Sequence, residues 1–464
     1  MRTLINILFT ITLFISFSCK EKPEPNPIED PEDLPVAEGH YRNPITVERE
    51  MNFIGEGGVA DPATFRWMGK YYLMTTQFYS YKISGFKVWE SEDLVDWKFK
   101  TAVQIPGFTW EAFWSPEMYY YRGTFYIYFS GPSGDMALMK YEVPDSQINP
   151  EPFGSGASWE MVTYDFLNVI DHAIDGSILI EPNGDKYALF SGFHGVKYRK
   201  INSMENGNGE DVIQLPMCSV ENIEIQPGTV GTKGWTEAPT AFKKDGVYYL
   251  TYTGNHFLRP DYQIHLAIGS SLDALIPIPG NPWILRNWGD WTATGNCYPI
   301  LGPNLKDYYY TYHVKEGYRI SPENQQLLRK LMVDKVSFES DGITTSAPTF
   351  EDEPIPSGAD YENDFSTGLN GFTVSGSAQW TTVGDYALSV DAMGNATLDN
   401  AILSETATGK DFVAEAHFRL SQWQATGVSG IGLIQGNNTA EANLVVSAVT
   451  VDGVHQIAIY DQHG

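Results

Sequence analysis

Five times along the chain a turn residue introduces a run in which large apolar side chains alternate with neighbours on the opposite face. The runs are Gly69-KYYLMTT, Gly123-TFYIYFSG, Gly184-DKYALFSG, Gly246-VYYLTYTG and Lys306-DYYYTYH, roughly 60 residues apart. Period-two alternation predicts β-strands, and a repeat of this length predicts one four-stranded propeller blade. A shorter, small-residue segment precedes each run: Val59-Ala-Asp-Pro-Ala, Phe113-Trp-Ser-Pro-Glu, Ala173-Ile-Asp-Gly-Ser, Trp235-Thr-Glu-Ala-Pro and Ala293-Thr-Gly-Asn-Cys. In a propeller the first strand of each blade lines the axial channel, so these five segments are expected to face one another. The predicted fold class is all-β, a five-bladed propeller; a sandwich with accidental periodicity is the alternative.

The ends of the chain depart from this pattern. Arg2 precedes an apolar run from Leu4 to Phe17, too short to span a bilayer, which takes about 20 residues. Ser18-Cys19 follows at once. The layout of residues 1–19 resembles a bacterial lipoprotein signal, which implies lipidation of Cys19 and an anchor at the outer membrane or cell surface. An ordinary secretory signal, leaving a periplasmic or secreted protein, is the alternative. Residues 20–40, with five prolines among acids, read as an extended tether. The propeller is assigned to 41–349 and an acidic linker, Glu351-DEPIPSGAD, to 350–360. Residues 361–464 are rich in Thr, Ser, Gly and Ala, with alternating stretches Phe412-VAEAHFRL and Leu444-VVSAVTV. The segment NDFSTGLNGFTVSGSAQWTTVGDYALSV resembles the opening strands of concanavalin A-like sandwich modules. Those modules are longer, so a partial β-sandwich is expected.

Composition narrows the function. The net charge of −28 argues against nucleic acid, whose phosphates are bound by Lys and Arg. A 42% hydrophobic share with 19% charged residues excludes a wholly disordered chain. Three cysteines do not make a disulfide scaffold; beyond Cys19, Cys218 and Cys297 form either one disulfide or two buried thiols. No His/Cys cluster has zinc spacing.

Three of the small-residue segments carry an acid beside, or one residue from, Pro or Gly: Asp61, Asp175 and Glu237. A single acid of this kind is usually a turn residue. Three at the equivalent position of three blades would converge at the channel mouth, where burial and like charge drive their pKa values apart. Glycoside hydrolysis needs such a set, one carboxylate ionised as base and one kept protonated as acid.

At these residues the sequence resembles glycoside hydrolase family 43. The motifs are ADPATFRWMGKYYL, VWESEDLVDWKF, FWSPEMYYYRGTFYIYFS, AIDGSILIEPNGDKYALF and WTEAPTAFKKDGVYYLTYT, with RKLMVDKVSFESDG closing the domain. The resemblance implies an O-glycosidase that cleaves arabinosyl or xylosyl linkages of oligo- or polysaccharides with inversion. It implies Asp61 as general base, Glu237 as general acid, and Asp175 as the acid that orients Glu237 and tunes its pKa. Trp114 matches an aromatic wall beside the sugar, and Arg319 is a weaker candidate for a sugar contact. Trp110, Phe113 and His256 are further candidates for touching the substrate. Many members carry Gly-His in the fifth blade, holding an ion in the channel; here Asn296 replaces that histidine. No cofactor is required, and calcium with Asn296 as ligand is left as a possibility. His313 reads as a packed or hydrogen-bonded core histidine. Two alternatives stay open: a non-catalytic glycan-binding lipoprotein, and a five-bladed glycosidase of another family acting on fructan or anhydrogalactose oligosaccharides. The oligomeric state is not legible.

Overall fold

A computed structural model describes residues 35–48, 58–77, 85–104, 112–144, 147, 150–170, 172–192, 195–215, 236–255, 257, 262–278, 285, 291–316, 329–339, 342–344, 348–362, 365 and 368. Further along it describes 372–375, 380–383, 387–390, 401–404, 413, 415, 429–434, 442–451 and 454–461. The signal segment and most of the tether lie outside the described residues, as do Cys19, Trp110, Cys218, His256 and Arg319.

A short β1 (His40–Tyr41) precedes five antiparallel sheets, each following chain order from its first strand outward. Blade one is β2 (Ala63–Trp67), β3 (Lys70–Met74), β4 (Gly85–Ser91) and β5 (Lys98–Gln104). Blade two is β6 (Trp114–Tyr121), β7 (Thr124–Ser130), β8 (Met136–Glu142) and β9 (Glu160–Thr163). Blade three is β10 (Ile174–Ile180), β11 (Lys186–Gly192) and β12 (Gly195–Ser203), with β13 (Asn206–Gly209) and β14 (Ile213–Gln214) both pairing β12. Blade four is β15 (Thr236–Lys244), β16 (Val247–Gly254), β17 (Gln263–Gly269) and β18 (Ile276–Pro277). Blade five is β19 (Trp291–Leu301), β20 (Tyr308–Glu316), β21 (Arg329–Glu339) and β22 (Gly342–Thr344). The first strands touch in the order β2, β6, β10, β15, β19 and back to β2, so the ring is closed.

The alternating runs build the core between blades. In β3, Tyr72 and Met74 face blade two, while Tyr71 and Leu73 face blade five. In β7, Phe125, Ile127 and Phe129 turn back to blade one while Tyr126 and Tyr128 turn to blade three. Each second strand therefore buries both faces, and five apolar clusters fill the five gaps. A large side chain so buried contributes about 1.5–3 kcal/mol, which explains why aromatics occupy these positions.

Blade five and blade one are stitched by the N-terminal segment. Val333 N–H donates to Asn43 Oδ1 (3.0 Å) and Asn43 Nδ2 donates to Val333 O (2.8 Å), so one side chain stands in for a missing strand. Part of the expected linker is itself paired: β23 (Glu353–Pro354) joins β1, and Arg42 holds Asp352. Ile355 packs on the apolar cluster between blades five and one, which accounts for this order. Seven more strands follow, β24 (Phe372–Ser375), β25 (Trp380–Val383), β26 (Ala387–Val390), β27 (Ala401–Ser404), β28 (Ser429–Ile434), β29 (Ala442–Val451) and β30 (Val454–Asp461). They form two separate pairs and a three-stranded sheet.

The first strands share one irregularity. β6, β10, β15 and β19 slip register between Trp114 and Glu117, Ile174 and Ser177, Glu237 and Thr240, and Gly295 and Tyr298. Inside each slip one residue is left-handed: Ser115 (φ 44°), Asp175 (53°), Ala238 (53°) and Asn296 (54°), matched ahead of β2 by Asp61 (50°). Such a conformation costs about 1–2 kcal/mol for a residue with a Cβ and persists only where neighbours over-determine it. Here the preceding blade does so. Ser115 N–H donates to Thr76 Oγ1 (2.8 Å), Asp175 N–H to Ser130 Oγ (2.9 Å) and Asn296 N–H to Thr253 Oγ1 (3.1 Å). Asp61 N–H donates to His313 Nδ1 (3.1 Å), which closes the circle from blade five to blade one. Thr253→Val keeps the shape and removes the acceptor, leaving the Asn296 N–H unpaired. Denaturant unfolding should show a loss of about 1–3 kcal/mol; an unchanged midpoint would refute a stabilising role for this bond.

Candidate active site

Asp61 and Asp175 occupy the same left-handed step of blades one and three. Glu237 does not. In blade four that step is Ala238, and Glu237 is the residue before it, paired across the sheet with Thr253. The expectation of three equivalent positions is thus corrected for Glu237. Pro62, Pro116 and Pro239 each follow the left-handed residue, and in Thr-Glu-Ala-Pro the acid sits one place further from the proline.

The three carboxyls nevertheless share one buried cluster, each less than a tenth exposed. Each has a different kind of partner. Asp61 accepts from Arg329 Nη1 (2.5 Å) on one oxygen and from Thr76 Oγ1 (2.5 Å) on the other. Glu237 Oε1 accepts from the Tyr262 hydroxyl (2.6 Å). Asp175 Oδ2 accepts from Ala238 N–H (3.2 Å). Burial first, then the charges of Glu237 and Asp61, push the Asp175 pKa well above the usual carboxylate range.

The walls hold these partners rigidly. Tyr262 is buried and stacks on His313 with ring centroids 6.0 Å apart. Gly295 makes room for it, since a Cβ there would stand 2.0 Å from Tyr262 Cε1. Burial, reinforced by Arg329 and Lys315, drives the His313 pKa well below its ordinary value. The ring is therefore neutral, with Nδ1 as acceptor, and its 3.5 Å approach to Asp61 Oδ1 is no ion pair. Lys315 is buried beside the cluster; desolvation and Arg329 draw its pKa down to about 7 against the opposing pull of Asp61 and Glu237.

Of the sequence candidates for sugar contact, Trp114 opens β6, and its enclosed Nε1 has no partner among the described residues. Phe113 is buried against Phe86 and Phe129 and belongs to the core. Arg319 and His256 lie outside the described residues, as does Trp110. Sequence reasoning passed over Arg329, Tyr262 and Thr76. A signal existed for Thr76: Thr76, Ser130, Ser191, Thr253 and His313 end the five aromatic runs at matching steps. Cys297 carries a free, buried thiol.

Asn296 is engaged within the protein through both of its nitrogens. Its Nδ2 donates to Ser115 Oγ (3.0 Å), and its N–H is held by Thr253. Calcium takes six to eight oxygen ligands, and no group of three or more His, Cys, Asp or Glu among the described residues is placed to hold a metal. No step below involves one.

Residues 51–344 match the family described as glycosyl hydrolases family 43. Fold and match together define a glycoside hydrolase of the propeller type. The chain belongs to glycosyl hydrolases family 43. It is 24% identical over 288 residues to a β-D-galactofuranosidase of Aspergillus niger, covering 56% of this chain and 75% of that enzyme. It is likewise 24% identical over 260 residues to an extracellular exo-α-(1→5)-L-arabinofuranosidase of Cellvibrio japonicus, covering 53% and 71%. A thermostable family-43 glycoside hydrolase of known structure aligns with TM-score 0.54 and 22% identity, covering 68% of this chain and 99% of that one. An endo-1,4-β-xylanase structure from Bacteroides thetaiotaomicron aligns at 0.52 and 20%, covering 64% and 97%. These last two establish the fold.

The Asp175 shift has a consequence for stability. Its folded-state pKa lies above the unfolded value near 4, so the folded state binds this proton more tightly. The stability it supplies is complete below the unfolded pKa and is lost as pH rises through the folded one. Asp175→Asn removes the ionisation, so its melting temperature should exceed wild type by a margin that widens from about pH 5 to pH 8. Calorimetric scans across that range check this; a margin that shrinks with pH would contradict the burial of a charged Asp175.

Proposed function

We propose that the protein is an inverting glycosidase that releases arabinosyl or xylosyl units from plant-type polysaccharides. The supporting observation is the meeting of Asp61, Asp175 and Glu237 in one buried cluster, each carboxyl with a different donor. Asp61, gripped by Arg329 and Thr76, takes a proton from a water whose oxygen attacks the anomeric carbon. Glu237, fixed by Tyr262, gives its proton to the departing glycosidic oxygen. The old C–O bond breaks as the new one forms on the opposite face, so configuration inverts. An inverting pair stands about 6.5–9.5 Å apart to admit that water. Mutual repulsion between Glu237 and Asp175 keeps a proton on the pair, and Glu237 is the member that passes it to the leaving oxygen. Trp114 supplies an aromatic wall for the sugar. Both similar enzymes are named for furanosides, which puts arabinofuranosides first among the substrates and xylosides second.

Turnover of nitrophenyl α-L-arabinofuranoside, nitrophenyl β-D-xyloside, linear arabinan and arabinoxylan tests the reading. Asp61→Ala should lose about 10²–10⁴-fold on all substrates alike. Glu237→Ala should lose that much on polysaccharide and far less on aryl glycosides, whose leaving groups need little protonation. Retained configuration in the product, or an undiminished Asp61→Ala enzyme, would overturn the assignment.

The location belongs to the same proposal. Cys19, lipidated, would hold the propeller at an outer membrane on the acidic tether; stable anchoring takes two or more acyl chains. Detergent partitioning of wild type against Cys19→Ala measures this. Wild type should enter the detergent phase and the variant the aqueous phase; identical partitioning would exclude the anchor.

A further inference from the structure

Lys315 is a buried ammonium with no carboxylate in ion-pair range among the described residues. It stands directly across the β20–β21 ladder from Arg329, which is buried too. Like charges opposite one another in a sheet repel, and more so away from water. Arg329 has Asp61 as its counter-charge. What meets both cations is Phe257, a half-buried residue between β16 and β17 of blade four. Arg329 Cζ lies 5.4 Å from the centre of its ring and Lys315 Nζ 5.5 Å, within the distance at which a ring face attracts a cation. The Lys315 ammonium also donates to the Phe257 carbonyl. We propose, taking the glycosidase function above as given, that Phe257 is a positioning residue that sorts the two cations, keeping the ammonium on its own carbonyl and the guanidinium on Asp61.

One carboxylate beside two cations has a choice of partner, and the two are not equivalent. A guanidinium is planar and always charged, whereas a buried ammonium gives up its proton readily. Desolvation and Arg329 already draw Lys315 down to about 7, against the pull of Asp61 and Glu237. A base held by Lys315 would therefore lose its counter-charge near neutral pH, and one held by Arg329 does not. An aromatic face suits this task better than an acid would. It attracts a cation without occupying its N–H donors, so Arg329 Nη1 remains available to Asp61. The other charged and titratable groups at this corner are Glu237 on β15, Tyr262 before β17 and His313 on β20. Tyr262 comes from the same connection of blade four as Phe257 and holds Glu237. That connection thus touches the acid directly and the base through Arg329.

Phe257→Leu removes the ring face and keeps the bulk and the carbonyl, while Phe257→Tyr keeps the face. On nitrophenyl α-L-arabinofuranoside, or on whichever glycoside wild type cleaves, Phe257→Leu should lower kcat about fivefold. The acidic limb of its kcat profile should move to higher pH, because a carboxylate that loses hold of a cation takes a proton more readily. Phe257→Tyr should bring both back to within about twofold of wild type. A role in packing alone would leave the limb of the leucine variant unmoved. Melting curves supply a readout that needs no turnover. If ring and carboxylate act on one guanidinium, the double variant Phe257→Leu, Asp61→Asn should lose less in melting temperature than the two single variants added together, since loosening Arg329 once weakens its second contact. An inactive wild type with that shortfall would reject the glycosidase and keep the positioning of Arg329. Melting losses that add in full, a leucine variant with wild-type kcat and an unmoved limb, or a tyrosine variant no better than the leucine would overturn the proposal.

Discussion

One backbone hydrogen bond, repeated around the axis, holds the channel mouth together. Each blade begins on a left-handed residue, and in four of the five the blade before it catches that residue's N–H with a hydroxyl or ring nitrogen on or just beyond its second strand. The apolar clusters between blades supply most of the burial, but they are greasy and permissive about small shifts. The N–H bonds are directional, so they fix where each first strand stands along the axis. Five strained residues are thereby tolerated together in the place where a small displacement would disturb the carboxyls most.

The cluster divides its charge by the kind of donor each acid receives. Asp61 has a guanidinium and a hydroxyl, Glu237 a phenol, and Asp175 a backbone amide. A cation offsets the desolvation of a buried carboxylate far better than a neutral dipole does. Asp175 is therefore the acid that carries the mutual repulsion of the three, and its raised pKa follows from this placement. A single protein surface has in this way given three similar side chains three environments, the condition that acid–base chemistry between carboxylates needs.

Much of this was legible in the sequence, for a definite reason. Aromatic alternation at a fixed repeat length reports buried two-faced strands, and strands such as β3 and β7 lie where the runs predict. Asp61 and Asp175 stood out because they interrupt small-residue strands beside Pro or Gly. Arg329 and Tyr262 were not legible, because each reaches its acid from a different strand across a fold the sequence does not display. Arg329 opens β21 and meets Asp61 over 268 positions of chain. The one-residue offset of Glu237 was hidden too, since which residue turns left-handed is decided by the catch from the neighbouring blade.

The circle of catches is broken once, between blades three and four. Ser191 stands in β11 at the step that Ser130 takes in β7, and by the repeat it should take the Ala238 N–H. It is instead buried without a partner among the described residues, and Asp175 Oδ2 takes that N–H. A buried hydroxyl left unpaired costs about 1–3 kcal/mol, so the fivefold rule is given up at a loss. What it gains is an acid drawn toward blade four and held against the residue that follows Glu237. The departure from symmetry falls between the two acids whose proximity sets their charge, and the same bond that disrupts the repeat supplies the contact between them.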